Sequence, residues 1–339
     1  MGSDLLKRIG LSIFVLFGLS ILIFLIARVV PGDPARLALG PRAPEWAVEN
    51  LRKEMHLDKP IYEQYGLWLA GIVHGDLGKS LVTRRPVSAD IREFLPATFE
   101  IVVLSALVMA IGGISLGVLS AKYSNSWFDG VTRIISYLGI VTPAFVWAII
   151  FMLIFGYVFP IFPTTGRLSP GFDAPRTITG MFTLDSLLAG DSATAWDAFL
   201  HLVLPAIALA MGGLAQAARI TRSSMTDNMS KDYIAAETAY GIPPRRILMK
   251  YLLKPSLIPT VSVMALDIAA LFGNAFLVEL IFNYPGLSRY GIEAMLNKDL
   301  NAISAVIMVL GLAFVTMNIA IDIIVGYLDP RIGLAGRRN

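Results

Sequence analysis

The segment IGLSIFVLFGLSILIFLIARVV, residues 9–30, decides the class of fold, because Arg28 is its only charged residue. A helix of about 20 apolar residues crosses the roughly 30 Å hydrocarbon core of a bilayer. Lys7 and Arg8 precede the segment as they would in a signal peptide. The apolar run is too long for a signal-peptide core, however, and residues 31–34 (PGDP) follow it in place of a small-residue cleavage site. We therefore predict a retained membrane helix with a cytoplasmic N-terminus.

Five further apolar segments of similar length follow the first. They are residues 98–121, 131–159, 200–218, 256–282 and 302–327. The whole chain is 55% hydrophobic and only 16% charged, against about 25% charged in an average soluble protein. The sequence thus predicts an all-α integral membrane protein with about six transmembrane helices.

The distribution of basic residues predicts the orientation of these helices, since Lys and Arg concentrate in cytoplasmic loops. The residues assigned to the inner side are Lys7, Arg8, Lys122, Arg219, Arg222, Lys231, Arg245, Arg246, Lys250, Lys254, Arg331, Arg337 and Arg338. Residues 31–97 are placed outside despite their basic residues, because acidic residues balance them and the segment is nearly long enough to escape this rule. We expect both termini in the cytoplasm.

These assignments divide the chain into four parts. Residues 1–30 form the N-terminus and first helix, and residues 31–97 form an extracytoplasmic cap. The cap contains two amphipathic helical patterns, at 45–57 and 60–72. Residues 98–328 form a five-helix core, which includes a cytoplasmic segment at about 231–243, and residues 329–339 form a cytoplasmic tail. A second long outer loop, residues 164–197, is expected to have a function because of its length.

The cytoplasmic segment 232–244 reads DYIAAETAYGIPP and predicts a short helix. Asp232 suits the N-cap position and the positive end of the helix dipole. Alanines at 235, 236 and 239 give a smooth face that lets another surface come close. Gly241 is expected to end the helix, and the two prolines after Ile242 prevent its continuation.

The sequence lacks the motifs of several nucleotide-binding and catalytic sites. The sequence contains no GxxxxGK[ST] phosphate loop, no HExxH or GxSxG motif and no cysteine. The three histidines lie far apart, and we expect His201 to be structural and not a metal ligand. The net charge of +3 is explained by residues that flank membrane spans, so no nucleic-acid partner is expected.

Polar residues within the spans are the candidates for a pore or gate, and these are Asp267, Asn274 and Glu279. Ionisable groups in a membrane usually mark a transport path or a structural pair. For Asp267 both interpretations stay open, and for Asp322 we expect a structural hydrogen bond. The glycines Gly112, Gly113 and Gly117 are expected to serve helix packing through small residues.

Motifs along nearly the whole chain resemble the dipeptide/oligopeptide/nickel type of ABC importer permease. In chain order they are Pro31-Gly32-Asp33-Pro34, Leu57-Asp58-Lys59-Pro60, Gln64-Tyr65, Trp68-Leu69, Gly75-Asp76-Leu77-Gly78-Lys79-Ser80, Pro86-Val87, Leu95-Pro96-Ala97-Thr98, His201-Leu202-Val203-Leu204-Pro205-Ala206, Ala218-Arg219-Ile220-Thr221-Arg222-Ser223-Ser224-Met225, Val278-Glu279, Ile281-Phe282, Pro285-Gly286-Leu287, Asn318, Asp322 and Leu328-Asp329-Pro330-Arg331-Ile332.

The resemblance implies a type I ABC importer permease fold in the cytoplasmic (inner) membrane. It also implies that the short cytoplasmic helix is a coupling helix for an ATPase. Its residues would be Asp232, Tyr233, Ile234, Ala235, Ala236, Glu237, Thr238, Ala239, Tyr240, Gly241 and Ile242. The implied partners are a second homologous permease in a heterodimer, two ATPase subunits or a fused or heterodimeric ATPase pair, and an extracytoplasmic solute-binding protein. ATP and Mg would be bound by the ATPases, and this chain would bind no cofactor and catalyse no reaction.

The resemblance favours short peptides as the cargo, with nickel chelates, glutathione and oligosaccharides as alternatives. The coupling helix departs from the family pattern, because Ala235, Thr238 and Tyr240 stand where basic residues are usual. Two other classes of function remain to be compared with this one. An ion-coupled secondary transporter would show paired interrupted helices or inverted repeats, and a membrane enzyme would show a catalytic motif, but neither feature is evident.

Overall fold

The structure, a computed structural model, describes residues 2–29 and 33–328. These residues form helices joined by turns, with one isolated β-bridge between Lys79 and Pro86. The first helices are α1 (Gly2–Val29), α2 (Pro34–Leu39), α3 (Glu45–Glu54), α4 (Ile61–Val73), α5 (Val87–Lys122), α6 (Trp127–Val141) and α7 (Ala144–Phe151). They are followed by α8 (Phe182–Leu188), α9 (Ser192–Met229), α10 (Asp232–Ala239), α11 (Pro244–Arg246), α12 (Lys254–Ile281), α13 (Leu287–Leu296) and α14 (Leu300–Leu328). Two π-helical segments, Met152–Val158 and Ile247–Leu253, extend α7 and lead into α12.

Among the described residues, five helical runs are long and apolar enough to cross a membrane. They are Gly10–Arg28 within α1, α5, α9, the run Pro244–Ile281 that includes α12, and Leu300–Ala320 within α14. They coincide with five of the six predicted spans, so the all-helical membrane class is confirmed. The predicted tail, residues 329–339, lies outside the described residues.

The third predicted span, residues 131–159, is not one straight helix. The run from α6 through α7 and its π-helical extension is bent by 115° at a short break. The break lies at Thr142, which is extended (φ −86°, ψ 123°), and at Pro143. Proline has no N–H to donate and disfavours helical geometry in the residue before it. Pro205 and Pro259, in contrast, lie inside continuous helices and end neither of them.

The described residues form two compact units, and the first joins the N-terminal part of the chain through Thr98 with Pro285–Thr316. The two helices predicted for the cap are confirmed as α3 and α4. Helix α4 packs against α1, where the ring centroids of Phe24 and Tyr65 lie 5.2 Å apart. The hydroxyls of Ser20 and Tyr65 are 2.8 Å apart and share a hydrogen bond.

Buried polar contacts connect distant parts of the first unit. The fully buried Asp299 accepts hydrogen bonds from the Ser80 hydroxyl (2.6 Å) and the Leu81 N–H (2.7 Å). The Tyr290 hydroxyl donates to Asp90 at 3.0 Å, and burial raises the pKa of that tyrosine. Buried polar groups need such partners, so these contacts fix the segment after α4 onto the start of α14.

The second unit, Phe99–Tyr284 with the end of α14, is organised around α9. Helix α9 packs against α6, α7, α8 and α12. A Cβ atom at Gly113 of α5 would lie 2.7 Å from the Cβ of Ala217, and one at Gly117 would lie 2.6 Å from the Cβ of Thr221. The glycines predicted to serve packing therefore let α5 and α9 approach closely.

Candidate functional site

The predicted coupling segment forms a short helix, α10, that begins at Asp232. Lys231 takes the N-cap position with extended backbone angles (φ −84°, ψ 142°), and no side chain caps the helix. The prediction that Asp232 is the N-cap is therefore wrong, because this residue is already the first in the helix. Its carboxylate still lies in the first turn, where a negative charge is favourable.

The C-terminal end of α10 is a Schellman motif built on Gly241, which has φ +74°. The Gly241 N–H donates to the Thr238 carbonyl (3.0 Å), and the Ile242 N–H donates to the Glu237 carbonyl (3.2 Å). This pairing satisfies carbonyl groups that would otherwise lack partners, and it requires a left-handed residue at the glycine position. The prediction that Gly241 ends the helix is confirmed.

The two faces of α10 differ in burial. Ile234 and Ile242 pack against the apolar cluster formed by Ala121, Met225, Ile247 and Leu252, which belong to α5, α9 and the π-helical segment before α12. The opposite face is open: Ala235, Ala236 and Ala239 are exposed, and Tyr240 is 84% exposed. One surface of α10 is therefore fixed to long helices, while a surface of small side chains and one tyrosine is free to contact another protein.

An ion pair that was not predicted from the sequence joins the ends of the long helices near α10. The Arg222 guanidinium of α9 binds both carboxylate oxygens of Asp129 in α6, and its Nη2 donates at 2.7 Å. Asp129 is fully buried and also accepts the Ser120 hydroxyl of α5 at 2.6 Å. One hydrogen bond, from the Asn228 side-chain amide to the Ser256 hydroxyl (2.8 Å), joins α9 to α12.

The only sequence signal for this ion pair was the position of Arg222 inside the motif at 218–225. Asp129 gave no signal, because its partner lies far along the chain. The pair and the Asn228–Ser256 contact connect α5, α6, α9 and α12 near α10.

A cavity of about 480 Å³ lies within the second unit, beside the break between α6 and α7. Its polar lining groups are Thr142, Gln216, Asp267 and Asn274, and its other walls come from apolar residues and glycines. Among the described lining residues, Asp267 is the only charged one. Its Oδ2 atom is buried and has no hydrogen-bond partner in the part of the chain that the structure describes.

The structure separates the three predicted pore residues. Asp267 and Asn274 line this cavity, whereas Glu279 is fully buried and does not. The side chain of Asp322 lies outside the described residues. The roles of the three stay predictions, but a structural partner for the Asp267 Oδ2, one of the two open interpretations, is absent among the described residues.

The segment predicted as an outer loop, residues 164–197, contains α8 and the first residues of α9, and buried charges hold it within the second unit. Arg167 donates to Glu100 (2.8 Å) and to the Gly180 carbonyl (2.9 Å), and its guanidinium lies 3.5 Å from the centroid of the Phe182 ring. Burial by itself would raise the pKa of Asp185, but four hydrogen bonds from residues 178–180 hold that pKa below its ordinary value.

His201 lies in the third turn of α9 and has a structural contact with the preceding turn. Its Nδ1 atom is 2.9 Å from the Asp197 carbonyl, and the side chain is buried. No group of three or more His, Cys, Asp or Glu side chains suited to a metal occurs among the residues described. This arrangement gives no support to a metal role for His201.

Two family models together match nearly the whole chain. The model described as "Binding-protein-dependent transport system inner membrane component" matches residues 113–334. The model described as "Binding-prot-dependent transport system membrane comp, N-term" matches residues 1–102.

Individual relatives are similar over almost their full length. The probable D,D-dipeptide transport system permease protein DdpB of Escherichia coli K12 is 38% identical, covering 98% of both chains. The dipeptide transport system permease protein DppB of Alkalihalophilus pseudofirmus is 36% identical over 96% of this chain and 98% of its own. The glutathione transport system permease protein GsiC of Escherichia coli O6:H1 is 31% identical over 96% and 97%.

Proposed function

This chain belongs to the family of binding-protein-dependent transport system inner membrane components, and we propose that it forms half of the pore of an ATP-driven importer of short peptides. As a component of such a system, it is a multi-pass protein of the inner membrane that works with a solute-binding protein and an ATPase. Its precise partners, its orientation and its cargo are parts of the proposal.

The observation that carries the proposal is the exposed α10 helix on a base of connected helices. A helix of eight residues is too short to be stable alone in water, so its stability must come from the cluster under Ile234 and Ile242. Its exposed face, with Ala235, Ala236 and Ala239, does not pack against the described helices. The small side chains of this face allow a close approach by another backbone. These features suit a coupling helix that binds to an ATPase subunit.

The energy source is assigned to the partner ATPases. The sequence has no phosphate loop, and the relatives are named as permease proteins of transport systems. We therefore propose that ATP and Mg bind to two ATPase subunits, and that this chain is a non-catalytic subunit. Closure of the ATPases would push α10, and the Asp129–Arg222 pair would carry the movement to the spans.

The exposed face of α12 supports a second permease as a partner. Asn274 and Gly273 are exposed on this membrane-spanning helix, next to the exposed Leu266 and Leu277. A carboxamide is costly against lipid, so polar groups in a span usually face protein or a water-filled path. A homologous second permease, with its own pore-lining helix opposite α12, would supply both, and we propose a heterodimer with both termini in the cytoplasm.

Peptides are the proposed cargo because the relatives DdpB and DppB are named for D,D-dipeptide and dipeptide transport. Glutathione, itself a peptide, is the second candidate, since GsiC is named for it. The relatives give no comparable support for nickel chelates or oligosaccharides, and the absence of a metal cluster among the described residues offers none for nickel.

The proposal is tested by peptide uptake into liposomes that contain the complete complex. The liposomes contain ATP on the inside, where the ATPase subunits face. The binding protein and a radiolabelled dipeptide are added outside. We expect uptake that requires both ATP and the binding protein. A matched complex with an ATPase defective in hydrolysis is the control and should import nothing. Uptake that continues without ATP, driven by an ion gradient, would overturn the proposal in favour of a secondary transporter.

A further inference from the structure

The cavity beside the break between α6 and α7 has an unusual balance of charge. It has one carboxylate, from Asp267, and three neutral polar groups, from Thr142, Gln216 and Asn274, among its described lining residues. No lysine, arginine or histidine contributes to this lining. The site thus offers oxygen acceptors and one negative charge to a bound molecule, and it suits a cationic group better than an anionic one.

The position of Asp267 makes its lack of a partner costly. The residue lies midway along α12, 13 residues after Lys254 and 14 before Ile281. A buried carboxylate oxygen without a hydrogen bond is unfavourable, and unpaired charges inside a membrane are rare. Its Oδ2 has no partner within the described fold, so a donor group on a molecule that enters the cavity would relieve this cost.

The cavity is also of a suitable size and is open for entry. Its volume of about 480 Å³ falls within the roughly 300–1,000 Å³ typical of small-molecule sites. Gly213 of α9 keeps space beside the carboxylate, because a Cβ atom there would lie 3.4 Å from the Cβ of Asp267 and would collide with the sulfur of Met109. Asn274, Gly273 and Ala270 are exposed at its edge.

We propose that Asp267 binds the α-ammonium group of the transported peptide, while the neutral polar groups of the cavity hydrogen-bond to its backbone. This inference rests on the proposed function, since it names the chemical feature of the cargo that the pore half recognises. An ammonium group carries three donors and one positive charge, which match one carboxylate and nearby side-chain oxygens. A divalent metal would require more anionic ligands than this cavity holds.

The consequence is that this half of the pore distinguishes peptides with a free N-terminus from peptides whose N-terminus is acetylated. Acetylation removes the charge and replaces the ammonium group by an amide. The affinity of the cavity for the acetylated peptide should be about tenfold lower, as expected when one member of a partly buried charge pair is removed.

The test measures binding of two peptides to the purified complex of permeases and ATPases without its binding protein, so that the specificity of the binding protein does not enter. Alanyl-alanine and N-acetyl-alanyl-alanine are titrated at millimolar concentrations, and binding is followed by saturation-transfer NMR. The complex is studied without nucleotide and with ATP trapped by a hydrolysis-deficient ATPase. Each variant is first checked for intact assembly by size-exclusion chromatography.

We expect the wild-type complex to bind the free dipeptide about tenfold more tightly than the acetylated one, as argued for a charge pair. Asp267→Asn should abolish this difference, and Asp267→Glu should restore most of it. Asn274→Ala is the matched control, because it should weaken both peptides alike and keep their ratio. A ratio near one in the wild type in both nucleotide states, or an unchanged ratio in Asp267→Asn, would overturn the inference. Either result would leave the proposed function intact as long as the wild-type complex still imports peptide with ATP. The proposed function itself would be refuted only if the wild-type complex showed no ATP-driven uptake.

Discussion

At the scale of single residues, two carboxylates in the helical core have opposite surroundings. Asp129 is fully buried, and Arg222, Ser120 and the Asn125 N–H all donate to it. The Oδ2 of Asp267 has no partner within the described residues. The contacts of Asp129 are those of a structural group. The Asp267 carboxylate, in contrast, has an oxygen that a bound ligand could pair with. In the sequence Asp267 is an acid among apolar residues, whereas Asp129 follows the polar residues 124–126. Neither context reveals the surroundings of the carboxylate, because the ion-pair partner of Asp129 lies 93 positions along the chain.

The same substitution at these two positions should therefore have opposite effects on stability. Asp129→Asn removes the charge that balances Arg222, and breaking a buried pair in this way costs about 3 kcal/mol or more. Asp267→Asn removes an unpaired charge and should leave the stability of the cargo-free complex unchanged or higher. Thermal unfolding in detergent, followed by tryptophan fluorescence, measures both. An equal fall in the unfolding temperature of both variants would show that Asp267 also has a structural partner.

At the scale of elements, local patterns predicted most helices, and contacts between helices decided the rest. The apolar runs fixed the positions of the spans, and Gly241 fixed the end of α10 because few other residues accept a positive φ. Two details could not be read from the sequence. Pro143 breaks a span whereas Pro205 and Pro259 do not, although all three prolines lie in apolar runs. The N-cap of α10 is Lys231, and Asp232 is the first helical residue, although aspartate has the stronger capping preference.

The Schellman motif of α10 predicts that Gly241 is required for coupling. A Cβ atom at this position would meet nothing within 4 Å, so the effect of Gly241→Val comes from backbone strain alone, of about 1–2 kcal/mol. The variant should insert and assemble normally but hydrolyse ATP with reduced peptide uptake per ATP. Gly241→Asn is the control, since asparagine tolerates the left-handed region, and it should retain coupling. Normal uptake per ATP in the valine variant would argue against this docking geometry.

The packing of α5 on α9 gives a second prediction for neighbouring glycines. In Gly113→Ala the new Cβ would lie 2.8 Å from the backbone oxygen of Leu214, so α9 must shift, at a cost of about 1–3 kcal/mol. In Gly112→Ala it would meet only the end of the flexible Leu214 side chain, at 2.9 Å, and the cost should be small. The unfolding temperature of each variant in detergent checks this. If both alanines were tolerated equally, close packing would not explain the glycines.

At the scale of the whole molecule, the chain forms two units that do not follow the order of the sequence. The sequence predicted a cap at residues 31–97 and a core at residues 98–328. In the structure the cap helices share a unit with Pro285–Thr316. Contacts such as that of Ser80 with Asp299 cause this grouping. This grouping could not be predicted, because the pairing of two polar residues 219 positions apart leaves no periodic pattern in a single chain.

The cap carries exposed aromatic residues that suit docking of the solute-binding protein. Trp46 of α3 is 71% exposed and Tyr62 of α4 is 73% exposed, and such residues dominate the energy of many protein interfaces. Trp46→Ala and Tyr62→Ala should each reduce the ATPase activity that the binding protein stimulates. Trp127→Ala, at an equally exposed position on α6, is the control and should leave stimulation unchanged. Full stimulation in both cap variants would remove these two side chains from the docking surface.

We propose that this chain is one half of a pore that works only with ATPase partners. The most direct test is to purify the tagged chain from its native membrane in mild detergent and to identify the bound proteins by mass spectrometry. We expect a second, homologous permease in equal amount, together with one or two ATPase subunits. Recovery of the chain alone or as a homo-oligomer, in a form that moves solute in liposomes without ATP, would contradict it.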